Sequence, residues 1–240
     1  VAKHPKVTTV APDKLWQITL RFPPIIGVAT NCWLWKGEDG LTLIDCGYPV
    51  NGEEILAASR ELGEIRRIII THAHPDHAGS AAALSRALSI PVLAHEAELD
   101  YLQGKKTMHT EDGSIICKCI LWMAHNTGFA LPKVNNVQPL KSGEQIDGLE
   151  LLHTPGHTPG SISLFAPETR SLFCGDNFHT LFPKPTLGHL WFTLDGKMRN
   201  ASLSQFEKLN AKTLLAGHGK PYVSDNLTAE LKQINSRSAR

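Results

Sequence analysis

Residues 66–79 read RRIIITHAHPDHAG, and the last nine of them, THAHPDHAG (71–79), decide how the chain is read. An apolar run ends, and His72, His74, Asp76 and His77 follow within six positions. In an extended backbone alternate side chains point the same way, so His72, His74 and Asp76 project from one side. Pro75 disfavours helix at His74 and supports that geometry. His77 then points elsewhere unless the chain turns, and a turn is expected because HAGSAAALSRAL begins a helix. The stretch therefore offers ligand groups in two directions, as two adjacent metal ions need. Imidazole nitrogen and carboxylate oxygen are natural ligands of Zn²⁺ and also serve iron and manganese.

One loop does not complete two coordination spheres, so further ligands must come from elsewhere. Three places stand out. TPGHTPG (154–160) holds His157 between two Pro-Gly turns. CGDN (174–177) puts Asp176 at the end of the apolar strand SLFCG. AGHGK (216–220) puts His218 at the end of KTLLAG. Each lies just past the C-terminal end of an apolar strand, where α/β proteins commonly build sites.

Around these motifs the pattern predicts strands over residues 15–22, 29–36 and 41–47, with GEDG (37–40) as a hairpin turn. NGEEILAASRELG (51–63) has helical spacing, RRIIIT is a short buried strand, and PVLAHEAELDYLQ (91–103) reads as strand then helix. Strands return over 149–155, 161–167 and 171–176. The proline-rich FHTLFPKPTLGHLWF (178–192) reads as a long loop. SLSQFEKLN (202–210) reads as helix, KTLLAG (212–217) as strand, and 225–240 as a terminal helix with Asp225 as N-cap. Residues 104–135 are the least regular and read as an insert or lid near the site. The order is strands, helices, strands, helices. No low-complexity linker interrupts it, which predicts one compact domain over 1–240 with two similar halves.

The bulk numbers narrow the function. Lys+Arg is 24 and Asp+Glu 23, so a net charge of +1 gives no electrostatic case for nucleic acid or an anionic membrane. No apolar run approaches the ~20 residues that span a bilayer. Cys32, Cys46, Cys117, Cys119 and Cys174 mostly sit in apolar contexts. They read as buried free thiols in a reducing compartment, which points to the cytoplasm. The expected partner is a small-molecule substrate.

In this order, HxHxDH, TPGHTPG, GD and GHG strongly resemble the metallo-β-lactamase-fold hydrolases, over about residues 28–222. The resemblance implies an α/β fold, an αββα sandwich with its site along one edge. It puts His72, His74 and His157 on one divalent ion and Asp76, His77 and His218 on the other, with Asp176 bridging. Asp45, in LIDCG (43–47), matches an acidic residue of the family at the end of an early strand and is expected to orient a ligand or the HxHxDH loop. Zn²⁺ is the expected metal, with Fe²⁺ and Mn²⁺ suited to the same ligands. Two ions ~3.5–4 Å apart share a water and lower its pKa towards ~7. The bridging hydroxide then attacks an ester-type carbonyl, a lactone or a thioester, with Asp76 as the catalytic residue that orients it or takes up its proton. Asp176 favours those branches over β-lactam cleavage, the first alternative. The second alternative is a sulfur dioxygenase using one iron. Substrate contacts are sought in His179, Phe182 and His189 after Asp176, with Phe178, Leu181 and Trp191 nearby, and in Trp122 and Met123 of the insert.

Overall fold

The computed structural model describes residues 6–21, 29–107, 130–189 and 192–238. Two large sheets and one two-stranded sheet are formed among the described residues. The first takes β1 (Lys6–Ala11), β2 (Leu15–Leu20), β3 (Thr30–Lys36), β4 (Leu41–Ile44), β5 (Ile65–Ile70), β6 (Val92–His95) and β7 (Val137–Leu140), in that spatial order. Its first four strands pair antiparallel, and β4 to β7 run parallel. The parallel half needs crossovers, supplied by α1 (Gly52–Ser59), by α2 (Pro75–Ala78) with α3 (Ala81–Leu88), and by α4 (Leu99–Leu102). The second sheet takes β8 (Gln145–Ile146), β9 (Leu149–His153), β10 (Ile162–Ala166), β11 (Ser171–Gly175), β14 (Thr213–Ala216) and β15 (Tyr222–Val223), ordered β15-β14-β11-β10-β9-β8. α5 (Gly196–Ser202) leads into a 3-10 stretch (Leu203–Lys208), and α6 (Leu227–Ser238) ends the described chain.

Alternation along the strands explains the layering. In β3, Trp33 and Trp35 face the second sheet while Cys32 and Leu34 face the helices. In β11, Phe173 faces inward while Leu172 and Cys174 pack under α6 and the 3-10 stretch. Phe173 meets the edges of Trp33 and Trp35 at 5.9 and 6.4 Å between ring centres. Three apolar layers result, one between the sheets and one beneath each set of helices. This is the αββα sandwich expected from the sequence.

The strands that carry motifs end on the same side. β4 and β5 are parallel and deliver Asp45 and the 71–77 turn together. β11 and β14 are parallel and deliver Asp176 and His218 together. The sheets are stitched at this end, where the Ile162 amide donates to Thr71 O and the Asn31 amide to Gly217 O, and within the second sheet the Gly217 amide donates to Gly175 O.

Several expectations are corrected. Residues 178–192 are not simply a loop: β12 (Phe178–His179) pairs with β13 (Thr186–Leu187). Helix begins at Gly196, where the Asp195 side chain caps the Met198 amide, and residues 203–208 wind as 3-10 helix. Asp225 does not cap α6: its carboxylate is taken by Lys212, and Glu230 bonds back to the Asn226 carbonyl. Strands β1, β7, β8 and β15 were not foreseen, because short half-exposed edges carry a weak apolar pattern. Most of the 104–135 insert, with Cys117, Cys119, Trp122 and Met123, lies outside the described residues, as does Trp191. Cys32, Cys46 and Cys174 are buried free thiols as expected. Among the described residues no helix is long and apolar enough to cross a membrane.

Candidate metal centre

β5 ends at Ile70, the chain bends at Thr71 and His72, and His74 is extended (φ −80°, ψ 149°) before Pro75 starts a single turn of helix. That change of direction separates His72 and His74 from Asp76 and His77; alternation had put Asp76 on the side of His72 and His74, but the helix begins at Pro75 and carries it to the side of His77. His72, His74 and His157 converge so that one ligand atom of each lies within 4.8 Å of the others. Asp76, His77 and His218 form a second such group. His72, His77 and Asp176 form a third, which joins the first two.

The distances show how tight the cluster is. His74 Nδ1 and His157 Nε2 lie 3.1 Å apart. Two nitrogens on a tetrahedral ion with bonds of ~2.0–2.1 Å lie roughly 3.3 Å apart. Asp176 Oδ1 is 3.4 Å from His77 Nε2, and its Oδ2 is 3.2 Å from His218 Nε2 and 3.9 Å from His157 Nε2. Asp76 Oδ2 is 3.3 Å from His218 Nε2 and 3.6 Å from His77 Nε2. His72 Nε2, His77 Nε2 and Asp176 Oδ1 are buried with no hydrogen-bond partner. Buried polar atoms are normally satisfied. Three orphans aimed at one point fit a divalent cation.

Neighbours fix which ring atom faces the centre. Asp45 is buried in a left-handed turn (φ 57°). It accepts the Thr71 amide at 2.8 Å, the Thr71 hydroxyl at 2.8 Å, and His77 Nδ1–H at 2.9 Å. Thr71 Oγ1, its own hydrogen spent on Asp45, accepts from His72 Nδ1–H at 3.0 Å. In its neutral form each ring is thereby left with its Nε2 lone pair towards the centre. The expectation for Asp45 concerned a ligand or the loop, and the carboxylate bonds to both. His218 Nδ1–H donates to Ala29 O at 2.9 Å, and His157 Nδ1 bonds Thr193 Oγ1 at 3.3 Å.

The electrostatics divide the cluster. Burial, and then the neighbouring imidazoles, hold His72 and His157 well below the usual histidine range, and burial lowers His74. Burial also acts to lower His77 and His218, but the Asp176 and Asp76 carboxylates outweigh it. His218 is carried up to about 10 and His77 well above its ordinary value. Burial acts to raise Asp176, but His218, His77 and His179 hold it down.

His179, expected among the substrate contacts, faces the centre: its Nε2 is orphaned and 3.5 Å from Asp176 Oδ2. His189 is exposed, with its ring 5.3 Å from that of His179. Phe182 and Leu181 are exposed just beyond Thr180, which bridges to Gly219. Phe178 is a correction. It alternates away from His179 into the core against Phe206 and does not shape a pocket.

Some functional residues gave little signal. Asn31 donates through Nδ2 to Ala216 O and Gly219 O, and Gln17 donates to Gly219 O and Asn31 Oδ1. Both hold the His218 loop from the other sheet. Their one clue was a polar residue inside an apolar strand. Gly217 is fitted to the centre, because a Cβ there would lie 2.2 Å from Asp176 Oδ1 and 2.4 Å from His77 Cε1.

A family model described as the metallo-beta-lactamase superfamily matches residues 25–218. The chain belongs to that superfamily. It is 28% identical over 218 residues to the probable metallo-hydrolase YflN of Bacillus subtilis (strain 168), covering 81% of each chain. It is 29% identical over 180 residues to an N-acyl homoserine lactonase of Bacillus sp, covering 64% of each. Among solved structures it resembles TTHA1623 in a di-iron-bound form at 28% identity and a TM-score of 0.67, covering 92% of this chain and 97% of that one.

Proposed function

We propose that the chain, as one domain, is a dinuclear metal-dependent hydrolase of an ester-type carbonyl, a lactone or a thioester. The observation that carries this reading is the position of Asp176. One carboxylate oxygen faces His77 and the other faces His218 and His157, so it lies between the two histidine groups. A carboxylate so placed suits a bridge. In this reading His72, His74 and His157 hold one ion, and Asp76, His77 and His218 the other. Zn²⁺ suits the nitrogen-rich set, and the di-iron form of TTHA1623 shows that a relative takes iron. Bound there, two divalent ions would supply a water that is nucleophilic near neutral pH and would polarise the carbonyl.

The residues of the chain do the rest. The Asp76 side chain is 24% exposed, against 9% for Asp176. Solvent therefore reaches Asp76, which suits it to orient a water and take up its proton. Asp45 and Thr71 keep His77 and His72 in the tautomer that presents Nε2. His179, buried beside Asp176, can donate to the substrate oxygen, with His189 behind it. Phe182, exposed on the same loop, offers apolar surface to an acyl chain. The YflN and lactonase likenesses support a hydrolase acting on a small molecule.

The test is hydrolysis of a panel: an acyl-homoserine lactone, S-lactoylglutathione, nitrocefin and bis-p-nitrophenyl phosphate. Turnover of either of the first two, lost in Asp76→Asn, supports the proposal. Preference for nitrocefin moves the reading to a β-lactam hydrolase. One bound iron, with O₂ uptake on a glutathione persulfide and no hydrolysis, moves it to a sulfur dioxygenase.

A further inference from the structure

Beyond the residues assigned above, one acidic side chain is fully buried against both loops that carry the first group of histidines. Glu98 closes the short 3-10 turn (Glu96–Glu98) after β6. Its Oε2 accepts the amide of Ala73, the residue between His72 and His74, at 2.7 Å. Its Oε1 accepts the amide of Gly160, three residues after His157, at 2.7 Å. No Lys, Arg or His pairs with Glu98 among the described residues; its partners are these two amides and the hydroxyl of Thr158, the residue after His157.

The fit is close on the far side as well. A Cβ on Gly160 would lie 2.6 Å from Glu98 Cγ and 2.9 Å from its Oε1. The second glycine of TPGHTPG thus makes room for this carboxylate. Charge-assisted bonds to backbone amides are short and strong, and a buried amide left without its acceptor is costly.

We propose that Glu98 is a positioning residue of the metal centre. Its carboxylate clamps the Ala73 and Gly160 amides and so sets the spacing of His72 and His74 on one loop against His157 on the other. This rests on the reading that these three histidines hold an ion. Metal–nitrogen bonds tolerate little change from ~2.0–2.1 Å, so a shift between the loops weakens one ion before the other. Groups that orient ligands are worth roughly 10–100-fold in metal affinity. A glutamine at 98 keeps the shape but turns an NH₂ towards one of the two amides, which breaks one arm of the clamp.

The experiment compares wild type, Glu98→Gln and Gly160→Ala, stripped of metal and titrated with Co²⁺ against a chromophoric chelator. Ions bound per chain, the Co²⁺ absorption spectrum and the thermal unfolding of the metal-free protein are recorded. Wild type is expected to take two ions. Both variants should unfold cooperatively, bind one ion as wild type does, and bind the other about 10–100-fold more weakly with an altered spectrum. Two ions at wild-type affinity in Glu98→Gln would overturn the role of Glu98 and leave the metal centre standing. A wild type that takes no ion would overturn the centre and the clamp together. Loss of the fold in both variants would also overturn the proposal, since Glu98 would then support the whole sandwich and not the spacing of three ligands.

Discussion

Asp45 and Glu98 grip the same turn from opposite sides, and they do it by different means. Asp45 binds a ligand ring and the Thr71 hydroxyl, so it controls which nitrogen is presented. Glu98 binds the Ala73 and Gly160 amides and the Thr158 hydroxyl on two loops, so it controls how far apart those loops lie. One carboxylate acts on chemistry at a ring, the other on distance. Both are buried; Asp45 reaches His77 directly and His72 through Thr71, while Glu98 reaches the backbone beside His72, His74 and His157.

The largest effect is expected where neither support is touched and the chemistry is. Asp76→Asn should cut turnover by about a thousandfold or more, roughly 4 kcal/mol of barrier, while the unfolding midpoint hardly moves. Steady-state kinetics beside a melting curve checks this. Next comes Asp45→Asn. The Thr71 amide donates to Oδ1, so the new NH₂ replaces Oδ2, faces both His77 Nδ1 and the Thr71 hydroxyl, and forces the His77 ring hydrogen onto Nε2. Metal affinity should fall about 10–100-fold on the ion of Asp76, His77 and His218, with a smaller loss on the other ion through Thr71 and His72. If Co²⁺ titration shows Asp45→Asn and Glu98→Gln weakening the same ion most, the contrast between the two carboxylates is wrong.

Gly217→Ala probes the centre by volume alone. Its Cβ would meet Asp176 and His77. Overpacking should cost about 1–3 kcal/mol, read by denaturant unfolding, and should lower metal affinity too. The smallest effect belongs to His95, which precedes the Glu98 turn and stacks on His153 at 3.8 Å. Burial and then His153 hold its pKa below the ordinary value. The unfolded chain therefore takes the proton more readily, and stability falls as pH drops through ~6.5. His95→Gln should lose less stability than wild type between pH 7 and pH 5 in parallel melts.

How far the sequence reached follows the same divide. The turn at 72–77 was legible because four ligand types crowd into six positions after an apolar strand. His157, Asp176 and His218 were legible through their order, each one past a strand end. The layers followed from the resemblance that the ordered motifs carry, while RRIII and SLFCG were legible only as short apolar strands. Glu98 was not legible, because HEAE after a strand reads as the acidic first turn of a surface helix, and two of its three donors are backbone amides with no residue signature. Asn31 and Gln17 were hidden similarly, since their targets are carbonyls on the other sheet. Phe178 misled because hydrophobicity near a ligand does not say which face of a two-residue strand it takes. His179 was noticed but undervalued, since a lone loop histidine carries no partner pattern.

The central claim is two ions held by seven side chains around Asp176. Counting divalent metal per chain by elemental analysis, on protein purified without added metal and again after saturation, tests it most directly. The account expects two ions per chain at saturation, falling to one or none in Asp176→Ala. A wild-type chain that saturates at a single ion, or binds none, would contradict it.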